Sequence, residues 1–237
     1  MKSKLTNTSY WEAHWGEEKV LEWDSGEKVF LPDWHKKFSE QHSDAINGKE
    51  CFEVGCFPGR YMRYFAREYQ MNVDGIDLMP YKSNLVSEPL NVSVADFIEY
   101  EGQKQYDIVC SFGFLEHFGD LHKVISKHLS MTRKEGITWI TMPNYVEGWR
   151  FFLKRLFDRK LFESHNEQAM KIAVLEEVLS QIECESYEIS VVRYSEKIFS
   201  SSGKIRAVLG RLIQRFLVRI PYLDQKFSTE ITITIWK

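Results

Sequence analysis

Three acids and two glycines in the first hundred residues have the types and spacing to hold a nucleoside-bearing ligand. The run Glu53-Val54-Gly55-Cys56-Phe57-Pro58-Gly59 places an acid before a glycine turn. Gly55 can take a positive φ and lets a ligand approach the backbone. A helix opening after the turn offers free N–H groups. A bare GxxxG is also an ordinary strand-to-helix turn, so its neighbours must decide. Asp77 follows Glu53 by 24 residues, and an acid there can accept two hydrogen bonds from a ribose diol. Asp96-Phe97 sets a carboxylate beside an aromatic ring. That pair suits adenine, one taking the exocyclic amine and the other packing on the ring face. The glycine turn matches neither GxGxxG nor GxxxxGK[ST], which disfavours a nicotinamide cofactor and a P-loop nucleotide.

These residues need a scaffold that brings strand ends together. Apolar strand-like runs alternate with amphipathic stretches, the pattern of an α/β sheet. Strands are predicted at 50–54, 73–77, 91–94, 106–112 and 136–142, and helices at 58–70, 119–130 and roughly 165–182. Pro58 is expected in the first turn of its helix. The stretch 106–112 is nearly continuous in its apolar character, as in a central parallel strand. Stretches 185–194 and 228–236 alternate with period two and read as two further strands. In such a sheet the acids and the turn share one edge, where α/β ligands bind.

Taken together, these motifs resemble the class I S-adenosylmethionine-dependent methyltransferases. The resemblance covers residues 50–145 well and the last two strands in outline. Glu53, Gly55 and Gly59 match that family's first motif, although Phe57 stands where the family often has a glycine. Asp77 matches its ribose-binding acid and Asp96-Phe97 its adenine-binding step. Tyr106 to Ser111, continuing to Glu116-His117, looks like its fourth motif. The resemblance implies a Rossmann-like, seven-stranded, mostly parallel sheet of order 3-2-1-4-5-7-6 with strand 7 antiparallel. It also implies S-adenosylmethionine as cofactor, touched by Glu53, Gly55, Cys56, Gly59, Asp77, Leu78, Asp96, Phe97 and Ser111. The chain is then expected to be one domain, 1–237. A helical lid would span 1–47, a cofactor-binding core 48–145, and substrate or surface insertions 146–182 and 195–226.

Methyl transfer from a sulfonium is an in-line displacement, so positioning supplies most of the acceleration. A hydroxyl acceptor needs a base as well. His117 follows strand four on the expected methyl face and is the first candidate, with a reference pKa near neutrality. The alternative is that Glu116-His117 only caps a helix or orders a loop. His14, in the aromatic run Tyr10 to Trp15, resembles part of the lid of relatives. His165, in Ser164-His165-Asn166, is a third candidate or a plain helix-start residue. His117, His122 and His128 lack the i,i+4 spacing of a helical zinc pair, so no metal is expected. The cysteines at 51, 56, 110 and 184 fit no paired CxxC pattern and read as reduced core thiols.

The formal charge of −3 argues against a non-specific nucleic-acid binder. No [DN]PP[YF]-like motif or Pro-Cys pair is present either. A small-molecule or glycan acceptor is expected instead. The near-neutral total hides a segregation. Residues 149–162 hold five basic side chains and one acid, and residues 203–220 hold five basic side chains and none. In the second stretch Arg211, Arg215 and Arg219 share one helical face, and Leu209, Leu212 and Phe216 another. Such helices pack on the domain or dock on an anionic membrane or acceptor. Without an apolar region after Lys2 and Lys4 no signal peptide is expected, and the chain reads as cytoplasmic, peripheral at the inner membrane face if the basic helices dock. The functional expectation is O-methylation of a small molecule or saccharide, lipid-linked if those helices meet a membrane. The alternatives are a non-catalytic binding protein on the same fold and a membrane-surface module.

Overall fold

The computed structural model describes residues 4–15, 40, 42, 46–80, 91–144, 164–192 and 230–237. The basic stretches 149–162 and 203–220 lie outside the described residues, as do the whole expected 195–226 insertion, residues 146–163 of the other insertion and most of the expected lid after residue 15. Among the described residues no helix is long and apolar enough to cross a membrane.

The apolar runs form one seven-stranded sheet. In chain order its strands are β1 (Glu50–Val54), β2 (Asn72–Asp77), β3 (Asn91–Val94), β4 (Tyr106–Phe112), β5 (Thr132–Pro143), β6 (Ser186–Val192) and β7 (Glu230–Trp236). They lie in the order β3-β2-β1-β4-β5-β7-β6. The first five pair in parallel, and β7 runs antiparallel to β5 and β6. This is the order and the strand reversal that the resemblance implies.

Period-two alternation sorts the core. On β1, Phe52 and Val54 pack with Ile76, Val109 and Met131 on one face. Cys51 packs with Phe65, Cys110 and Trp139 on the other. On β7 the fully buried Ile231, Ile233 and Ile235 alternate with Thr232 and Thr234. The described helices are α1 (Thr8–His14), α2 (Arg60–Glu68), α3 (Leu121–Met131) and α4 (Ile172–Leu179). All four cysteines are free thiols, three of them buried.

Two helices differ from the sequence reading. Helix α2 starts at Arg60 because its N-cap, Gly59, sits at φ +87°, outside helical space. Pro58 therefore precedes the helix and does not open it. The stretch expected as one helix from 165 splits into a 3₁₀ turn, Glu167–Met170, and α4. Lys171 between them is extended (φ −94°, ψ +119°).

His128 in α3 makes the fold acid-sensitive. It is fully buried, donates from Nδ1 to the Val124 carbonyl at 2.8 Å, and packs edge-on against Phe97. Burial pushes its pKa down to about 4. An unfolded histidine titrates near about 6.5, so between these values the unfolded chain binds more protons. The stability His128 contributes is complete above about pH 6.5 and is lost as the pH falls through 4. The shift corresponds to something on the order of 3 kcal/mol. Denaturant titrations at pH 7 and pH 4.5 should show wild type losing more stability than His128→Leu, and equal losses would refute the assignment.

Candidate active site

Strand register builds the site. Val54 lies opposite Ile76 on one side and Ser111 on the other, and Asp77 lies opposite Val94. The residues just past β1, β2, β3 and β4 therefore meet at one edge of the sheet. There they line a cleft of about 890 Å³, open solvent at its mouth included.

The β1–α2 turn is one wall. Gly55 has φ +71°, and a Cβ there would meet Phe114 Cδ2 at 2.7 Å. The Asp77 carboxylate accepts hydrogen bonds from the Phe57 N–H at 3.0 Å and the Met79 N–H at 2.8 Å. It thereby fastens the turn to β2. Burial raises its pKa, and the backbone bonds to Met79, Phe57 and Leu78 oppose the rise. Glu53 is 2% exposed. Its pKa is raised by burial first and by Asp77 second, against the Met62 N–H and Arg63. Glu53 Oε2 has no hydrogen-bond partner among the described residues. A buried carboxyl oxygen with no partner on a cleft wall fits a ligand that brings positive charge or N–H donors.

Of the other residues expected from sequence, Cys56, Leu78, Asp96 and Phe97 also line the cleft. Asp96 accepts from the Ile98 N–H at 3.0 Å and pairs with Lys4 Nζ. Gly59 acts beside the cleft as the cap of α2. Ser111 is fully buried within β4, with its Oγ unpartnered among the described residues, below the lining residues.

Residues 4–15 pack across this edge. Lys4 bridges to Phe118 in antiparallel fashion, and the Leu5 N–H donates to the His117 carbonyl at 3.0 Å. Trp11 and Trp15 line the cleft, the latter 5.9 Å from the Phe57 ring.

The three candidate histidines gather behind Trp11. His117 ends a 3₁₀ turn, Leu115–His117, and is 5% exposed. Its ring stands edge-on to Trp11 at 4.8 Å and 4.7 Å from the His165 ring. His117 Nδ1 lies 2.8 Å from the Ser164 carbonyl. A carbonyl only accepts, so Nδ1 carries the proton and Nε2 keeps the lone pair. His14 is exposed and stacks near Tyr10 at 6.0 Å. Tyr10 donates to Ser164 Oγ, which lies 3.0 Å from His165 Nδ1. Asn166 fastens this corner. Its N–H donates to the Glu116 carbonyl at 2.6 Å, and its Nδ2 to the Phe118 carbonyl at 2.8 Å.

The electrostatics shift the expected roles. Burial, then His165 and His14, push the His117 pKa down to about 3, although the Ser164 bond opposes them. His117 is thus neutral at ordinary pH and stands behind the cleft wall. Glu116, read from sequence as part of the fourth motif and, with His117, as a cap or loop-ordering residue, is 2% exposed. Burial pushes its pKa up to about 8. Its proximity to His165 has no sequence signal, because the two lie on separate segments that the fold brings together through the Asn166 bonds and the His117–Ser164 bond.

The family model described as a methyltransferase domain matches residues 24–178, more than half of the chain. The chain belongs to this methyltransferase family. The Glu53 oxygen that has no partner among the described residues, the Gly55 turn and Asp77 fit S-adenosylmethionine, the cofactor that the resemblance implies. Solved structures agree with this methyltransferase in fold. A SAM-dependent methyltransferase from Archaeoglobus fulgidus aligns with TM-score 0.60 and 17% identity over 86% of this chain and 94% of its own. Phosphoethanolamine N-methyltransferase 2 of Haemonchus contortus, in complex with S-adenosylmethionine, gives 0.66 and 17% over 98% of this chain. This methyltransferase spans only 59% of that longer protein. The N-methyltransferase NodS of Bradyrhizobium japonicum WM9 gives 0.54 and 10% over 99% and 94%. No curated protein sequence matches the chain significantly.

Proposed function

We propose that this methyltransferase methylates a hydroxyl oxygen of a small molecule or saccharide. S-adenosylmethionine supplies a methyl group on a positively charged sulfur, open to in-line displacement. In this reading Asp77 takes the ribose hydroxyls, Asp96 and Phe97 take the adenine, and the Glu53 carboxyl faces the cationic end. Trp11 and Trp15 exclude water from the cleft.

The observation that carries the choice of oxygen is the Glu116, His117 and His165 group packed directly behind Trp11. An amine, once its ammonium form has lost a proton, attacks with its own lone pair, whereas an alcohol must lose its proton as the new bond forms. Proton-accepting groups beside the cleft serve the second case. The test is a labelled-methyl transfer screen of full-length protein over saccharides, hydroxylated metabolites and amines, phosphoethanolamine included. Label in base-stable ethers is the expected result. Label confined to amines would overturn it.

A further inference from the structure

Cofactor binding makes no use of the group behind Trp11. Glu116, His117 and His165 each bring one ligand-type atom to within 4.8 Å of the others. Glu116 Oε1 stands 3.9 Å from His117 Nε2. Glu116 Oε2 is buried with no hydrogen-bond partner among the described residues, and an unpaired carboxyl oxygen in a protein interior calls for a cation or a donor. His117 gives its Nδ1 proton to the Ser164 carbonyl. That outer bond fixes the tautomer and ring orientation in the way metal-bound histidines are usually held. Donors on a single ion at about 2.1 Å stand roughly 3.4 Å apart in tetrahedral geometry. The 3.9 Å pair is already close to that spacing.

We propose that Glu116, His117 and His165 form a binding site for one divalent transition-metal ion. Two imidazoles and one carboxylate suit Zn²⁺, Mn²⁺ or Fe²⁺, while Mg²⁺ prefers an all-oxygen shell. Three protein ligands leave a position open for water or an acceptor oxygen. The site borders the cleft. A Cβ on Gly113, a cleft residue, would come within 3.5 Å of Glu116 Oε1, and Trp11 contacts both the cleft and His117. The role, though not the binding, rests on the hydroxyl reading. With a cation bound these side chains would act as its ligands and no longer as proton acceptors, and the cation would instead ease loss of the acceptor hydroxyl's proton to solvent. The i,i+4 histidine spacing carries no trace of this group, because its residues come from two separate segments.

Co²⁺ is the probe. Chelator-treated full-length protein is titrated with it, and ligand-field absorption in the visible is recorded beside calorimetry with Zn²⁺. One equivalent should bind, with at least tenfold weaker binding in Glu116→Gln and His165→Ala. Circular dichroism checks their folding, and Glu116→Gln keeps the shape of the buried side chain. No Co²⁺ band in wild type, or equal affinity in folded variants, overturns the site. Co²⁺ binding with methyl transfer confined to amines would keep the site and remove the hydroxyl reading. Ether formation without any Co²⁺ band would do the reverse.

Discussion

Replacing Asp77 with alanine lowers the affinity for S-adenosylmethionine at least a hundredfold. The carboxylate holds the N–H groups of Phe57 and Met79 at 3.0 and 2.8 Å, so it shapes both the β1–α2 turn and the residues after β2. Hydrogen bonds to a charged group contribute about 1.5–3 kcal/mol each. Alanine removes both bonds and the acceptor that would meet the ribose. A net loss of about 3 kcal/mol in binding corresponds to roughly a hundredfold in Kd. Asp77→Asn keeps one oxygen as an acceptor and should fall between wild type and alanine. Calorimetry with S-adenosylmethionine measures the series. Unchanged affinity in a folded Asp77→Ala protein would remove the assignment of this edge as the cofactor site.

Gly55→Ala should damage stability and cofactor binding together, and the chain supplies its own control. Gly48 and Gly55 share a left-handed backbone, at φ +70° and +71°, but no described residue lies within 4 Å of a Cβ on Gly48. At Gly55 the same atom would meet Phe114 Cδ2 at 2.7 Å. Phe114 has little room to yield, being packed against Phe118 at 4.7 Å and Phe97 at 5.9 Å. Gly48→Ala therefore isolates backbone strain, about 1–2 kcal/mol. Gly55→Ala adds the steric conflict, typically about 1–3 kcal/mol for overpacking. At about 2–4 °C per kcal/mol for a domain of this size, Gly55→Ala should melt roughly 4–20 °C below wild type and bind cofactor poorly. Gly48→Ala should melt about 2–8 °C low, the smaller fall of the two, and bind normally. Equal melting temperatures for the two variants would show that the turn is not sterically defined by Phe114.

These two residues also show what the sequence reveals. Gly55 and Asp77 are legible because each sits at a strand end marked by local apolar pattern, and because their order and spacing match a familiar family. Period-two alternation likewise announces β7 from its isoleucines. Helix limits are less legible, since Gly59 and Lys171 leave helical backbone for reasons of local geometry. The group behind Trp11 is least legible. Glu116 and His117 are adjacent, but His165 reaches them only through a fold that brings Asn166 against the Glu116 and Phe118 carbonyls. Burial then reverses the expected ordering, leaving the glutamate the stronger proton acceptor and the histidine the weaker.

The position of β7 has a kinetic consequence. It pairs with β5 on one side and β6 on the other, yet β6 precedes it along the chain. Joining β5 to β7 means closing a loop that runs from Pro143 to Glu230. Loop-closure entropy must be met before that pairing yields any contact energy. β1 to β5 can assemble by shorter crossovers while the outer edge of β5 stays open. During that interval the unpaired edge presents Trp139, Ile140 and Met142, all buried in the finished sheet, and it is the place where a folding chain is most exposed to pairing with another copy of itself.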